Sequence, residues 1–218
     1  MSTLEPSRKV SLVVFDLDGT LVDAFHAIAD SINFMLAEMG LPPQGFLKIK
    51  RSVGWGVNSL VNSFVDARQV PRALRIFRAH HDQRLRQKIK LLPGVKSLLP
   101  FLKEKGCVLA VASNRPSVFC HIIMKQAGID HYFDHVICGD LVKRPKPYPD
   151  MIQEILKASK KKPSQTLYVG DMTVDVECGR RARVLTLAIP TGSCTKKELK
   201  KAKPHRLIRR ISEVRRFV

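Results

Sequence analysis

Residues 10–23 read VSLVVFDLDGTLVD, an apolar run that ends in two carboxylates separated by one residue. The apolar part is rich in Val and Leu, which predicts a strand that is buried on both faces. Residues i and i+2 lie on one side of an extended chain, so Asp16 and Asp18 can face the same pocket. A turn at Gly19 lets the chain fold back sharply after them, and Thr20 can hydrogen-bond into the pocket.

Two carboxylates this close repel each other unless a cation or a shared proton relieves them. Magnesium is the natural partner, because Mg²⁺ takes oxygen ligands and can also leave room for a phosphate. The pair therefore predicts a magnesium site beside a phosphate site. These residues alone also allow a plain capped turn, in which Asp18 and Gly19 serve only the local geometry.

Further apolar runs with strand character alternate with helical patterns in the second half of the chain. The strands are expected at residues 108–112, 136–138, 167–169 and 185–189. This alternation predicts parallel βαβ units, and hence an α/β fold with a Rossmann-like parallel sheet and helices on both faces. Ligands of such sheets bind at the carboxyl ends of the strands.

One long stretch interrupts this alternation with helical patterns alone. They fall at residues 24–39, 47–53, 57–67 and 71–88. We therefore predict two domains, a catalytic α/β core formed by residues 1–23 and 92–218 and an inserted all-helical cap formed by residues 24–91.

Polar side chains follow the other predicted strands. Ser113 offers a hydroxyl that suits a phosphate oxygen, and Asn114 adds an amide beside it. Lys146 lies between two prolines, whose rigid backbone can aim its ammonium at a phosphate. Asp171 and Asp175 flank a helix start and supply more oxygen ligands. Capping or a stiff basic loop could explain each segment alone, but all of them point to one pocket.

The motifs DLDGTLVD, SNRP, KPYPD and GDMTVD, in this order, resemble those of the haloacid dehalogenase superfamily. Within it, the chain resembles phosphoglycolate phosphatase-like hydrolases with a helical cap, over nearly its whole length. The resemblance implies that Asp16 attacks phosphorus and becomes an aspartyl-phosphate. It also implies that Asp18 protonates the leaving alcohol and then deprotonates the attacking water.

The same resemblance implies the remaining roles in the site. Ser113 and Lys146 would hold the phosphoryl group. From their own positions in the sequence, Thr20 and Asn114 are expected to be further phosphate-binding residues. Asp16, the carbonyl of Asp18, and Asp171 would ligate Mg²⁺, with Asp175 in support.

Substrate choice is expected to lie in the cap. The GWG loop at residues 54–56 is a candidate lid, with Trp55 either excluding water from the site or buried between cap helices. Lys50 and Arg51 could meet a carboxylate or a second phosphate of the substrate, or be ordinary surface charge. The HHD run at residues 80–82 predicts a solvated helix face rather than a metal site.

The leading hypothesis is a phosphomonoester hydrolase acting on a small metabolite such as 2-phosphoglycolate. The alternatives within enzymes are a pyrophosphatase, a nucleotide phosphatase or a sugar phosphomutase. Asp18 argues against dehalogenases and phosphonatases, which carry another residue there, and Gly170-Asp171 differs from the Glu-Asp typical of sugar phosphomutases. An alternative of another class is a basic module that binds RNA or another polyanion.

The net charge of +19 favours anionic partners. Aromatic residues make up 6% of the chain and are not interleaved with the basic runs, so nucleic acid is possible as a partner but not favoured. The five cysteines contain no CxxC pair, which argues against a disulfide framework or zinc and fits a reducing cytoplasm. No apolar run approaches the roughly 18 residues that membrane insertion needs. We expect a cytoplasmic monomer or homodimer.

Overall fold

A computed structural model describes residues 10–87 and 89–218. In these ranges the strands are β1 (Leu12–Phe15), β2 (Val22–Asp23), β3 (Lys90–Leu91), β4 (Val108–Ser113), β5 (His135–Cys138), β6 (Thr166–Gly170), β7 (Leu185–Ala188) and β8 (Arg206–Leu207). The α-helices are α1 (Phe25–Glu38), α2 (Phe46–Ser52), α3 (Val57–Asn62), α4 (Val70–Leu85), α5 (Val95–Glu104), α6 (Ser117–Gln126), α7 (Asp150–Ser159), α8 (Thr173–Arg181) and α9 (Lys196–Ala202).

Six strands form one parallel sheet in the order β5-β4-β1-β6-β7-β8, with β1 between β4 and β6. All four residues of β1 are buried. Val13 and Phe15 pack in the apolar cluster that contains residues of α5 and α6. Leu12 and Val14 pack on the other face, with residues of α7 and α8. This alternation confirms the predicted Rossmann-like sheet with helices on both faces.

The helices α1 to α4 lie between β2 and β3 and share an apolar cluster of their own. Its buried members include Phe25, Ile28, Ile32, Met35, Leu36, Ile49, Leu60, Val61 and Phe77. The antiparallel pairing of β2 with β3 brings the two ends of this segment side by side. The inserted helical cap is therefore confirmed as a feature of the fold, whereas the domain bounds at residues 24 and 91 stay a prediction.

Three details differ from the sequence predictions. The helix expected at residues 57–67 ends at Asn62, and the rest of that stretch contains Asp66 in an extended backbone and the start of a separate 3-10 turn at Ala67–Gln69. The short strand β3 lies in the stretch where only helices were expected, since it forms only by pairing with β2. In the basic C-terminal segment, the structure adds α9 and β8. No helix within the described ranges is both long and apolar enough to span a bilayer.

Gly179, on α8, tests how tightly this helix packs against β7. A Cβ added there would collide with Oγ1 of buried Thr186 and lie 3.0 Å from its Cγ2. We expect Gly179→Ala to lower the free energy of unfolding by about 1–3 kcal/mol, because overpacking outweighs the gain in helix propensity of about 1 kcal/mol. Urea unfolding monitored by circular dichroism measures this change.

Gly45→Ala is the matched control, because a Cβ at Gly45 meets no atom within 4 Å. Its effect should stay clearly smaller than that of Gly179→Ala. Equal unfolding midpoints for Gly179→Ala and the wild type would contradict the close packing of α8 on β7.

Candidate active site

The register of the sheet brings three sequence motifs to one edge. Phe15 of β1 lies opposite Val111 of β4 and Val169 of β6, so these strands end at the same level. Asp16 continues β1 directly, and its backbone N–H donates to the carbonyl of Val169 at 2.9 Å. Ser113 ends β4, and its hydroxyl is buried in the same cleft as Asp16. The predicted convergence at the carboxyl ends of the strands is therefore present in the structure.

The ammonium of Lys146 lies between two carboxylates at this edge. Its Nζ is 2.6 Å from Oδ1 of Asp16 and 2.7 Å from Oδ1 of Asp175. The side chains of Lys146, Asp16 and Asp175 are 3%, 10% and 2% exposed. Together the two carboxylates raise the pKa of Lys146 above its usual value although burial lowers it, so the ammonium stays charged.

Asn114 holds the loop that carries Lys146. Its Oδ1 accepts from the backbone N–H of Lys146 at 2.8 Å, and its Nδ2 donates to the carbonyls of Lys146 and Gly54 at 3.0 and 2.9 Å. Both amide N–H bonds are therefore used by the backbone. In this structure the Asn114 amide therefore positions the Lys146 loop and the cap loop, while its predicted contact with phosphate, in the cleft that it lines, stays a prediction.

Asp16, Asp171 and Asp175 form an acidic cluster in which one oxygen of each lies within 4.8 Å of the others. Burial raises the pKa of Asp16 to about 6, although Lys146 opposes this shift. Burial, together with the neighbouring Asp16 and Asp175, also raises the pKa of Asp171 well above its ordinary value. A divalent cation would relieve this crowding of negative charge, and the all-oxygen donor set suits one.

The aspartates of this cluster differ in their hydrogen-bond partners. Asp175 accepts from Lys146, from the hydroxyl of Tyr168 at 2.7 Å and from the backbone N–H of Met172 at 2.9 Å. Asp171 accepts from Thr20 Oγ1 at 3.3 Å and from the backbone N–H of Ser193 at 3.0 Å. Thr20 is fully buried and contacts this carboxylate, so it supports the acidic cluster rather than lining the cleft.

Asp18 forms a bidentate ion pair with Arg115, a residue that the sequence analysis did not single out. Arg115 Nε lies 2.7 Å from Oδ2 of Asp18, and its Nη2 lies 2.9 Å from Oδ1. Its Nη1 lies 2.8 Å from Nε2 of His81 on cap helix α4. Arg115 lies two residues after Ser113 in the SNRP motif, and this proximity to a predicted site residue could have identified it as part of the site.

His81 is fully buried, so the prediction of a solvated face at residues 80–82 is wrong at this position. The buried side of α4 is formed by Ala73, Phe77, His81 and Leu85, each four residues from the next, and this spacing carried the signal. Nδ1 of His81 lies 3.0 Å from the hydroxyl of Ser31. Burial, with a further contribution from Arg115, lowers the pKa of His81 to about 2, so the ring is neutral.

The two predicted cap ligands lie outside the cleft that holds Asp16. Trp55 is 53% exposed and lines a separate cleft with Arg180 and Lys201, so neither predicted position for it is correct. Positive φ angles of 119° at Gly54 and 89° at Gly56 set the course of this loop. A Cβ at Gly54 would collide with the end of the Met172 side chain, which would have to move, and both glycines line the Asp16 cleft.

Arg51 is also directed away from the cleft. Its Nη2 pairs with Oε1 of Glu198 on α9 at 2.7 Å, and its side chain is 54% exposed. The structure therefore corrects the prediction that Arg51 contacts substrate. Ordinary surface charge, the other interpretation of this residue, agrees with its position.

The family model for haloacid dehalogenase-like hydrolases matches residues 13–189. The chain belongs to this family. A phosphoglycolate phosphatase of Pseudomonas syringae pv. tomato is 32% identical over 190 residues, covering 83% of this chain and 70% of the relative. Phosphoglycolate phosphatase 1 of Pseudomonas aeruginosa is 31% identical over 205 residues, covering 88% and 75%. These matches confirm the predicted class of enzyme, a phosphatase of the haloacid dehalogenase-like family.

A solved structure supports the same assignment. A protein from Haemophilus somnus, described as a predicted phosphoglycolate phosphatase, superposes with a TM-score of 0.90 at 26% identity. The superposition covers 95% of this chain and 97% of that one. The likeness thus extends over both the sheet and the helical cap of this haloacid dehalogenase-like phosphatase.

The buried, neutral His81 predicts a specific pH dependence of stability. The unfolded chain binds a proton on this histidine below a pH of about 6.5, whereas the folded protein does not until about pH 2. The unfolded state therefore binds more protons in this window, and stability falls as the pH falls. Between pH 7 and pH 5 this one group should remove about 2 kcal/mol of unfolding free energy.

Urea unfolding of the wild type and His81→Gln at both pH values, with EDTA present, measures this difference. Other titrating groups are common to both proteins and cancel in the comparison. His121→Gln, at an exposed histidine, is the control and should behave like the wild type. If His81→Gln lost as much stability on acidification as the wild type, the neutral buried state of His81 would be refuted.

Proposed function

We propose that this chain is a Mg²⁺-dependent phosphomonoester hydrolase that acts on a small phosphorylated metabolite through an aspartyl-phosphate on Asp16. The observation that carries the proposal is the charged Lys146 held between Asp16 and Asp175, at a strand edge shared with Ser113 and Asp171. The ammonium of Lys146 and the hydroxyl of Ser113 can bind the oxygens of a phosphoryl group, and the carboxylate of Asp16 can attack its phosphorus in line.

The first half of the reaction forms a bond between Asp16 and phosphorus and breaks the bond between phosphorus and the ester oxygen. A carboxylate oxygen of Asp16 attacks, and Lys146 and Ser113 hold the oxygens of the phosphoryl group. The leaving alcohol takes a proton from Asp18. In the second half Asp18 removes a proton from water, whose oxygen attacks phosphorus and releases phosphate from Asp16.

Arg115 would orient Asp18 for both proton transfers. Its fork contacts both oxygens of that carboxylate in this structure. To donate a proton, Asp18 must turn one oxygen toward the leaving group, and the other oxygen can keep its contact with the guanidinium. Arg115 is therefore a positioning residue in this scheme, fixed on its far side by His81.

The cation would be held by Asp16, Asp171 and the backbone carbonyl of Asp18. When bound, Mg²⁺ supplies positive charge that offsets the charge of the phosphoryl group and of the nearby carboxylates. Asp175 accepts from Lys146, from Tyr168 and from the backbone of Met172, and its part in this scheme is to hold Lys146 in place. The raised pKa values of Asp16 and Asp171 support the need for such a cation.

The proposal also includes the substrate, the domain bounds, the location and the oligomeric state. The names of the relatives make 2-phosphoglycolate the first ester to assay. The division into a core of residues 1–23 and 92–218 and a cap of residues 24–91 is supported by the pairing of β2 with β3 and by the cap's separate apolar cluster. A cytoplasmic location, a monomer or homodimer, and the pyrophosphatase, nucleotide phosphatase, mutase and polyanion alternatives stay predictions.

Asp16→Asn and Asp18→Asn test the mechanism. We expect the wild type to release phosphate from a panel of monoesters with Mg²⁺ and to stop when EDTA is added. Asp16→Asn should remove measurable turnover, because the amide is a poor nucleophile. Asp18→Asn should lower kcat by about 10²–10⁴-fold through the loss of proton transfer. Phosphate release, and intact mass after rapid acid quenching, are the measurements.

Asp66→Asn, at an exposed carboxylate, is the control and should keep wild-type turnover. Turnover that survives in Asp16→Asn would refute the covalent mechanism. Absence of hydrolysis of every ester, together with salt-dependent RNA binding, would favour the polyanion-binding alternative.

A further inference from the structure

The part of the cleft beyond the phosphoryl site has an apolar wall. Its side chains come from both the cap and the core: Ile28, Val53, Val57, Leu60, Phe77, Phe119, Met172 and Val174. All except Val57 are buried. The same cleft holds Asp16, Ser113 and Lys146, so the wall adjoins the phosphoryl site where a leaving group would lie.

Two cationic side chains occur among the described residues that line this cleft, and each is bound to carboxylates of the core. Lys146 lies within 2.7 Å of Asp16 and of Asp175. Arg115 pairs with both oxygens of Asp18. Lys146 is also the group that would hold the phosphoryl oxygens, and Arg115 is the group that orients Asp18. Neither is available to a second anionic group on the substrate.

The cap cations nearest in sequence to the GWG loop are engaged elsewhere. Lys50 Nζ lies 4.6 Å from the ring centroid of Phe25 and 3.4 Å from the carbonyl of Thr191. Arg51 pairs with Glu198. The cap therefore presents its apolar side chains, rather than these charges, to the leaving group.

A carboxylate on the leaving group would have to leave water and lie against this wall without a cationic partner. Burial of an unpaired charge is strongly unfavourable, whereas burial of apolar surface is favourable. The carboxylates of Asp16 and Asp18 lie in the same cleft and would repel it further.

We propose that the preferred substrates are phosphate monoesters whose leaving alcohol is uncharged and largely apolar, rather than esters with a second anionic group such as 2-phosphoglycolate. This inference rests on the proposed hydrolysis of phosphomonoesters and adds the substrate class. In this inference the chain prefers a different class of substrate from the one in the names of its phosphoglycolate phosphatase relatives.

Two pairs of esters of matched length test the preference with the wild-type, Mg²⁺-loaded protein. Ethyl phosphate is compared with 2-phosphoglycolate, and butyl phosphate with 4-phosphooxybutanoate, so that a terminal methyl replaces a terminal carboxylate. We expect kcat/KM to be at least about ten-fold higher for the uncharged member of each pair, and higher for butyl than for ethyl phosphate.

The outcomes distinguish this inference from the proposed function. Hydrolysis of all four esters with equal kcat/KM, or with a preference for the carboxylates, would overturn the inference and leave the phosphatase proposal standing. Hydrolysis of none of them, nor of any other ester, would overturn both.

Val57→Lys tests the apolar wall directly, because Val57 is the side chain of this wall that is only partly buried. An ammonium there should shift the ratio of kcat/KM toward the carboxylated member of each pair by about ten-fold or more. Val57→Met, which keeps the wall apolar, should retain the preference of the wild type. A ratio that is unchanged in Val57→Lys, with the variant folded by circular dichroism, would count against the wall as the source of selectivity.

Discussion

The buried ammonium of Lys146 is the group on which the rest of the site depends. It is 3% exposed and lies within 2.7 Å of two carboxylates from different elements, Asp16 after β1 and Asp175 on α8. Removing one partner of such a group leaves an uncompensated buried charge, which costs about 3–5 kcal/mol. The sheet register, the Asn114 clamp and the packing of α8 can all be understood as what brings these three charges to one point.

The sequence predicted best what depends on strands, because parallel strands end at a common edge. Asp16, Ser113 and Asp171 were assigned to one pocket on that ground. The structure places Asp16 and Ser113 in one cleft and Asp171 in the acidic cluster that contains Asp16. The sequence predicted poorly what depends on loop direction. Glycines at 54 and 56 permit a lid over the site, but the observed φ angles, and with them the outward position of Trp55, depend on contact with the core. The roles of Arg115 and His81 required knowing that α4 packs against α6, which no local pattern specifies.

The whole chain has a large net positive charge, whereas the cations inside the cleft are paired with carboxylates. The chain carries a net charge of +19, with much of the excess on exposed residues such as those of α9. Such a field draws anions toward the surface but is screened within about 8 Å at physiological salt. Inside the cleft, each cation is matched by a carboxylate a few ångströms away. A high overall charge can thus speed the approach of phosphate esters without deciding which of them is accepted.

The two-residue strands β2 and β3 hold the ends of the cap segment next to each other, with Val22 opposite Leu91 and Asp23 opposite Lys90. Because its two ends meet, this segment leaves the core and re-enters it at one place. Its length and internal order therefore do not set the spacing of the strands in the large sheet. The cap still reaches the site through side-chain contacts, from His81 to Arg115 and from the carbonyl of Gly54 to Asn114. The pairing of β2 with β3 thus separates the path of the cap segment from the path of the sheet, while side-chain contacts connect the cap to the site.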